Sequence, residues 1–180
     1  MQLNFGSYHI KPIHPKDGWT ICNFVVTNED RLKRYFPKTL EQNLTPDLSN
    51  FFVAKKVKQF DNKEAFLFTI NENESNKLIG LIYIKEINWN TKQGEFAYCI
   101  DYTVEGKGLM TEAIQQLSNY SFEKLGLETL QVIVHKSNIG SIKVAENCNF
   151  TWIKTLVNEH TPPGESPLNM ELYELYNKIE

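Results

Sequence analysis

Hydrophobic and polar positions change their spacing several times along this 180-residue chain, and each spacing predicts a different element. Leu78–Ile87 is a nearly continuous apolar run, which is typical of a strand covered on both faces. Leu168, Met170 and Leu172 alternate with polar residues, as in a strand that is buried on one face. Leu109–Leu125 instead has helical spacing. The stripe that this helix is expected to bury is formed by Met110, Ala113, Ile114, Leu117 and Ser121.

The rest of the chain, interpreted in the same way, predicts a mixed sheet with helices packed on it. Thr45 and Pro46 are typical of a helix start, and Gly126 and Asn149 can supply the left-handed residue that ends a helix. The predicted strands are Ser7–Ile13, Ala65–Ile70, Leu78–Ile87, Glu95–Ile100, Leu130–Val134, Trp152–Val157 and a last one through Leu168, Met170 and Leu172. The predicted helices are Asp17–Asn28, Asp30–Tyr35 (stopped by Pro37), Pro46–Gln59, Leu109–Leu125 and Ser141–Cys148.

Composition excludes several classes of protein. The net charge of −3 does not indicate the basic surface that a nucleic-acid binder needs and leaves only a local basic patch open. No apolar stretch reaches the ~20 residues of a membrane-spanning helix. No secretory signal is visible at the start. Cys22, Cys99 and Cys148 are odd in number and form no CxxC pair, which speaks against a disulfide framework and a structural zinc site. We therefore expect three reduced, mostly buried thiols, no metal, and a cytoplasmic location.

The most informative segment is 104–113, which leaves a strand, turns through Gly106 and Gly108, and opens a helix. Helix N-termini carry unpaired N–H groups and bind phosphates, and glycine lets the backbone come close to the anion. A tight strand-to-helix turn without a ligand is an equally good interpretation of this segment alone. Asp101 stands where a P-loop needs glycine, and Thr111 stands in the third glycine slot of a dinucleotide fingerprint, so neither motif fits.

Three segments in register carry a family resemblance. They are Gly94–Ile100, Glu105–Ala113, and Asn138–Glu146 followed by Phe150. They resemble the fourth strand, the pyrophosphate loop and the second cofactor segment of the GNAT superfamily of acetyl-CoA-dependent N-acetyltransferases. The Rim-type group, which acetylates the N-termini of ribosomal proteins, is the most similar. The resemblance implies one α/β domain over residues 1–180, with a mixed, mostly antiparallel sheet of about seven strands and helices on both faces.

The resemblance also implies a site for acetyl-CoA. The backbone of the fourth strand would pair with the pantetheine arm like an additional strand, through Tyr98, Cys99 and Ile100. Asn138 would hydrogen-bond the same arm, although an N-cap role is common for asparagine and both roles are compatible. Backbone N–H groups would hold the pyrophosphate, from Gly106, Lys107, Gly108, Leu109, Met110 and Thr111.

Two residues are candidates for the chemistry. Glu95 is the candidate general base that takes a proton from the attacking ammonium, against the alternative of a solvated or ion-paired strand residue. Ser141, which the resemblance places near the thioester sulfur, is the candidate donor to the departing thiolate. Its alternative is a first-turn hydroxyl that bonds its own backbone. The tyrosine acid of many relatives is absent, since Ala145 occupies its position.

The expected activity is direct transfer of acetyl from acetyl-CoA to a primary amine, with a protein N-terminal α-amine as the acceptor that the resemblance implies. A small-molecule amine such as a polyamine, or a non-catalytic acyl-CoA-binding module, remains an alternative. Residues 32–37 resemble the acceptor-side loop, and 160–165 either shape that side or only connect strands. No nucleic acid or membrane partner is expected, and the sequence leaves monomer or homodimer open.

Overall fold

The computed structural model describes residues 1–177, and its strands pair in one mixed sheet, which confirms the predicted fold class. The eight strands lie in the order β1-β2-β3-β4-β5-β6-β8-β7. They are β1 (Leu3–Phe5), β2 (Tyr8–Pro12), β3 (Phe66–Glu72), β4 (Leu78–Asn88), β5 (Gln93–Ile100), β6 (Thr129–Val134), β7 (Thr151–His160) and β8 (Leu168–Tyr176). β5 and β6 run parallel, whereas β1–β2, β2–β3, β6–β8 and β7–β8 are antiparallel pairs.

Six α-helices occur in the described residues, and most begin or end within two residues of the prediction. They are α1 (Gly18–Thr27), α2 (Glu29–Tyr35), α3 (Pro37–Glu41), α4 (Pro46–Asp61), α5 (Leu109–Glu123) and α6 (Ile139–Asn147). Thr45 caps α4 by accepting a hydrogen bond from the Leu48 N–H at 3.3 Å, as predicted. α2 ends at Tyr35, just before Pro37, as predicted, but the short helix α3 was not predicted. Pro37 also starts α3, because proline is well suited to a first helical position, where its missing N–H is not needed.

The chain divides into two compact units. The first comprises Met1–Tyr83, Tyr98–Val104 and Pro162–Ser166. Within it α1 packs closely on α4, since a Cβ on Gly18 would lie only 2.0 Å from Asn50 Oδ1. The core side chains of this unit include Ile10, Ile21, Val25, Leu32, Val53, Phe68, Ile70 and Ile82.

The second unit comprises Ile84–Ala97, Glu105–Thr161 and the described residues from Pro167 onward. All five residues of the apolar stripe predicted for α5 are buried, which confirms the prediction from helical periodicity. The ring of Phe96 on β5 lies 6.4 Å from that of Phe150, in an edge-on arrangement. Gly126 and Asn149 adopt the left-handed conformations that the sequence predicts, with φ of +72° and +64°.

The prediction of a single domain over 1–180 stays a prediction. Within residues 1–177, none of the helices has the length and apolar character needed to cross a bilayer.

Candidate active site

The loop before α5 has the conformation that a phosphate-binding turn requires. Gly106 and Gly108 both adopt left-handed backbone angles, with φ of +74° and +77°, and Gly108 is the N-cap residue of α5. A Cβ built at either position would meet no other atom within 4 Å, so the space beside the loop is open. The first N–H groups of an α-helix have no partner within the helix. The loop therefore joins an open surface to unsatisfied donors, which is the chemistry that a pyrophosphate needs.

The first turn of α5 is held in place by its own core side and by α6. Met110 is buried, and the Cys148 thiol at the end of α6 donates to the Thr111 carbonyl at 3.3 Å. The Gln115 side chain also donates to the Asn147 carbonyl, at 3.2 Å. Lys107 is exposed. The helix start is thus rigid while the glycines before it remain accessible.

Asn138 and Ser141 lie together at the start of α6. Asn138 Oδ1 accepts the Ser141 N–H at 3.1 Å, and the Ile142 N–H bonds the Asn138 carbonyl at the same distance. Asn138 is therefore an N-cap, as the sequence suggested it could be. The cap uses only the carbonyl oxygen of the amide, so Nδ2 remains as a donor for another partner.

Only the first half of β5 pairs with β6. Its parallel register with β6 joins Gln93–Phe96 to Thr129–Val132 and extends no further, although β5 itself continues to Ile100. The backbone of Tyr98, Cys99 and Ile100 lies beyond the paired segment. Burial raises the pKa of the Cys99 thiol to about 12, so this thiol is neutral and unreactive at neutral pH.

The end of β5 is fixed by Asp101, a residue whose role the sequence did not indicate. Its carboxylate accepts hydrogen bonds from the Thr103 N–H at 2.8 Å and the Thr103 hydroxyl at 2.5 Å, and its own N–H bonds the Ile79 carbonyl at 2.7 Å. Burial acts to raise the pKa of Asp101, but the bonds from Thr103 and the charge of Lys77 outweigh burial, and the pKa is lowered. Asp101 is consequently an ionised structural residue at the start of the loop that contains the two glycines.

Glu95 is ion-paired, and its partner was missed by the sequence analysis. Lys85 Nζ on β4 lies 2.6 Å from Glu95 Oε1, with the Glu95 side chain only 12% exposed and that of Lys85 39%. Burial raises the pKa of Glu95, while the charge and hydrogen bond of Lys85 act in the opposite direction. The structure therefore supplies the ion-paired alternative without removing Glu95 as a proton acceptor.

The loop that follows β7 is attached to α2. Arg34 binds Glu165 through two bonds, Nε to Oε1 at 2.9 Å and Nη2 to Oε2 at 2.8 Å, across 131 positions of sequence. Trp19 on α1 is 69% exposed, so it does not pack in the core. Phe36 does pack inward, and its ring stacks on Tyr83.

The structure thus groups the predicted site residues in separate clusters. Residues 106–111 form one continuous loop and helix start, Asn138 and Ser141 share a hydrogen bond, and Glu95 is held by Lys85. Residues 1–177 contain no group of three or more His, Cys, Asp or Glu side chains arranged to hold a metal ion.

Comparison with known proteins identifies the family of this architecture. Residues 9–151 match the model of the acetyltransferase (GNAT) domain. The "Probable N-acetyltransferase YjcK" of Bacillus subtilis is 24% identical over 143 residues, which cover 79% of each chain. The spermidine N(1)-acetyltransferase of Vibrio cholerae is 30% identical over 118 residues, covering 66% of this chain and 67% of the relative.

A solved structure shares almost the whole fold. RimL, a ribosomal L7/L12 alpha-N-protein acetyltransferase in complex with coenzyme A, superposes with a TM-score of 0.90 over 100% of both chains at 14% identity. At this identity the likeness establishes the fold alone. The resemblance seen in the sequence motifs therefore agrees with the whole-chain comparisons.

Proposed function

The chain belongs to the GNAT family of acetyltransferases, and on that premise we propose that it transfers acetyl from acetyl-CoA to a protein N-terminal α-amine by direct attack. The observation that carries the use of acetyl-CoA is the open glycine loop, in which Gly106 and Gly108 present left-handed backbone to the start of α5. The complex of RimL with coenzyme A supports the same cosubstrate. The proposed cytoplasmic location is consistent with three cysteines that form no disulfide.

Each part of the proposed cofactor site has one task. The N–H groups of residues 106–111 bind the pyrophosphate, and Lys107 adds positive charge. The backbone of Tyr98, Cys99 and Ile100 pairs with the pantetheine arm where β5 has lost its β6 partner. Asn138 Nδ2 donates to the same arm while Oδ1 continues to cap α6.

Glu95 and Ser141 would move the protons of the reaction. The thioester of acetyl-CoA supplies an acetyl group that a neutral amine can take directly. Because an amine is mostly protonated at neutral pH, Glu95 accepts its proton before or during attack. Ser141 donates from its hydroxyl to the departing thiolate, since its backbone N–H is already used by Asn138.

Two considerations favour an N-terminal α-amine as the acceptor: the basicity of amines and the name of a structural neighbour. An α-amine has a pKa of about 7.7–8.0 and a lysine amine about 10.4, so one carboxylate can deprotonate an α-amine far more readily. RimL is named for an α-amine of a ribosomal protein.

A polyamine acceptor is the second candidate, and a specific observation favours it. The spermidine acetyltransferase of V. cholerae is the more identical of the two relatives above, at 30%. Glu86 and Glu159 act electrostatically on Glu95 in addition to Lys85, so two further carboxylates near the proposed base could attract a polycation.

A single assay distinguishes these candidates. Free thiol released from acetyl-CoA is measured with peptides that begin with alanine or serine, with the same peptides N-terminally blocked but containing lysine, and with spermidine. We expect turnover with the free α-amines and little with the blocked peptides. A preference for spermidine would mean that the acceptor is a polyamine and not an N-terminal α-amine. Thermal stabilisation by acetyl-CoA without turnover on any amine would indicate a binding module.

Replacing Glu95 tests the proposed base. Glu95→Gln keeps the side-chain shape and removes the proton acceptor, and we expect kcat/KM to fall by roughly 10²-fold near pH 7. The deficit should shrink as pH rises, because free amine becomes abundant without help. A loss that is the same at every pH would mean that Glu95 only attracts the acceptor by charge.

A further inference from the structure

The contact between Lys85 and Glu95 differs from an ordinary surface ion pair. At 2.6 Å the ammonium is in direct hydrogen-bonding contact with Oε1, and the carboxylate is largely withdrawn from water. The Lys92–Glu128 pair of the same unit lies at 2.5 Å with both side chains about half exposed, at 53% and 47%. Exposed pairs of that kind are screened and contribute little. The charge on Lys85 acts on Glu95 with less screening.

The charges around Glu95 make Lys85 decisive for its ionisation. Glu86 on the same strand as Lys85 and Glu159 at the end of β7 both disfavour a negative charge on Glu95, and so does burial. On the β6 side the residue opposite Glu95 is Gln131, which is neutral. Lys85 supplies the positive charge in this set, so its removal would leave a largely buried carboxylate that two negative charges act on.

The backbone next to Lys85 is also irregular. Glu86 has a φ of +48°, in the left-handed region that a residue with a side chain seldom adopts. An irregularity within a strand turns the neighbouring side chains away from their regular directions, and such irregularities are common beside active sites. Here it follows directly after the residue that contacts Glu95.

We propose that Lys85 is a positioning residue that orients Glu95 and keeps it ionised for proton abstraction. The inference rests on the proposed function, in which Glu95 is the base. Lys85 holds Oε1, so Oε2 is the oxygen that takes the proton from the acceptor ammonium and frees the nitrogen lone pair for attack. Without the lysine the carboxyl group would take up a proton at higher pH and would lose this capacity over that range.

The test compares four variants by two measurements. Lys85→Met removes the charge at similar length, Lys85→Arg restores the charge, Lys92→Met removes an equivalent lysine away from Glu95, and Glu95→Gln marks the base. The first measurement is a ¹³C NMR titration of glutamate carboxyl groups, with the Glu95 signal identified by its loss in Glu95→Gln. The second is the pH profile of kcat/KM from pH 5 to 9 with an alanine-initiated peptide and, separately, with spermidine.

We expect Lys85→Met to move the Glu95 titration and the acidic limb of the profile upward by about one pH unit, the low end of the range for a close opposite charge. On the acidic limb, at pH values below both pKa values, the rate should fall by up to about tenfold, and well above them it should be close to that of the unmodified protein. Lys85→Arg should restore most of the profile, and Lys92→Met should leave it unchanged.

Three results would overturn the inference. An unmoved Glu95 titration in Lys85→Met, or an equal loss of rate at all pH values, would reduce Lys85 to a structural partner. Full activity of Glu95→Gln would remove the base itself and with it the premise. The NMR titration requires no acceptor, so it separates a failure of Lys85 from a failure of the proposed function.

Discussion

Replacing Gly108 by alanine tests the phosphate loop most directly. Gly108 has a φ of +77°, and a non-glycine residue in this conformation costs roughly 1–2 kcal/mol. A Cβ at this position meets no protein atom within 4 Å, so no steric term adds to the backbone strain. For a chain of this size the expected loss of Tm is about 2–8 °C. The fold should otherwise be retained.

Affinity for acetyl-CoA should fall much further than stability. The new methyl group would occupy the open space where the pyrophosphate is proposed to lie, and would displace it from the N–H donors of α5. Loss of a hydrogen bond to a charged group costs about 1.5–3 kcal/mol, which is roughly 10- to 100-fold in Kd. Isothermal titration calorimetry with acetyl-CoA measures this directly. S-acetylpantetheine, which lacks the pyrophosphate, should show no such difference between the two proteins.

Gly126 provides a matched control on the same helix. It has a φ of +72° and no atom within 4 Å of its Cβ position, but it follows the C-terminal end of α5. Gly126→Ala should lower Tm by the same amount as Gly108→Ala and leave acetyl-CoA affinity unchanged. Equal affinity of Gly108→Ala and the unmodified protein would refute the phosphate-loop assignment. Equal losses in the two variants would show that affinity follows stability alone.

Three further predictions concern the residues that support the site. Asn138→Ala should cost about 1 kcal/mol of stability, because it removes the side-chain cap on the Ser141 N–H. Asn138→Asp should keep the cap but bind acetyl-CoA more weakly, because aspartate has no Nδ2 donor. Chemical denaturation measures the loss of stability and calorimetry the loss of affinity. Asp101→Asn should destabilise the protein at pH 7, because a lowered carboxyl pKa stabilises the fold above the unfolded-state pKa. The deficit measured by urea denaturation should begin to shrink as pH falls below about 4 and should disappear only below the folded-state pKa of Asp101. Arg34→Ala should leave Tm almost unchanged because its ion pair with Glu165 is exposed, but it should increase protease cleavage within residues 160–167; an unchanged digestion pattern would mean that the loop is held by other contacts.

Local patterns in the sequence predicted the elements whose signals are themselves local. The buried stripe of α5 repeats over about three turns, and the left-handed glycine at 126 follows shortly after the helix ends. The shorter elements were missed. β1 spans only Leu3–Phe5, too few residues to show a period, and the first predicted strand, Ser7–Ile13, corresponds to β2 alone. β7 extends to His160 rather than Val157, through a register shift between Leu156 and His160 that hydrophobic patterning cannot reveal.

The same distinction separates the parts of the candidate site. Gly106, Gly108 and Asn138 were predictable because each acts through its own backbone or the next helical turn. Glu95 was predictable as a candidate, but its partner was not. Alternation along β4 cannot say whether Lys85 or the adjacent Glu86 lies beside it, since one step of register exchanges the two. The two choices would place opposite charges next to the same carboxylate.

The stability penalty of an ionised Glu95 supports its proposed role as the general base. Its pKa is raised in the folded protein, so its contribution to stability is present below the unfolded-state pKa and is lost as pH rises through the folded-state value. Above that folded-state pKa the fold retains an ionised carboxylate that a neutral glutamine would replace at lower cost. Buried charge that weakens a fold is found mainly where chemistry requires it. Lys85 limits this penalty without abolishing it, which leaves Glu95 more basic than a carboxylate in water.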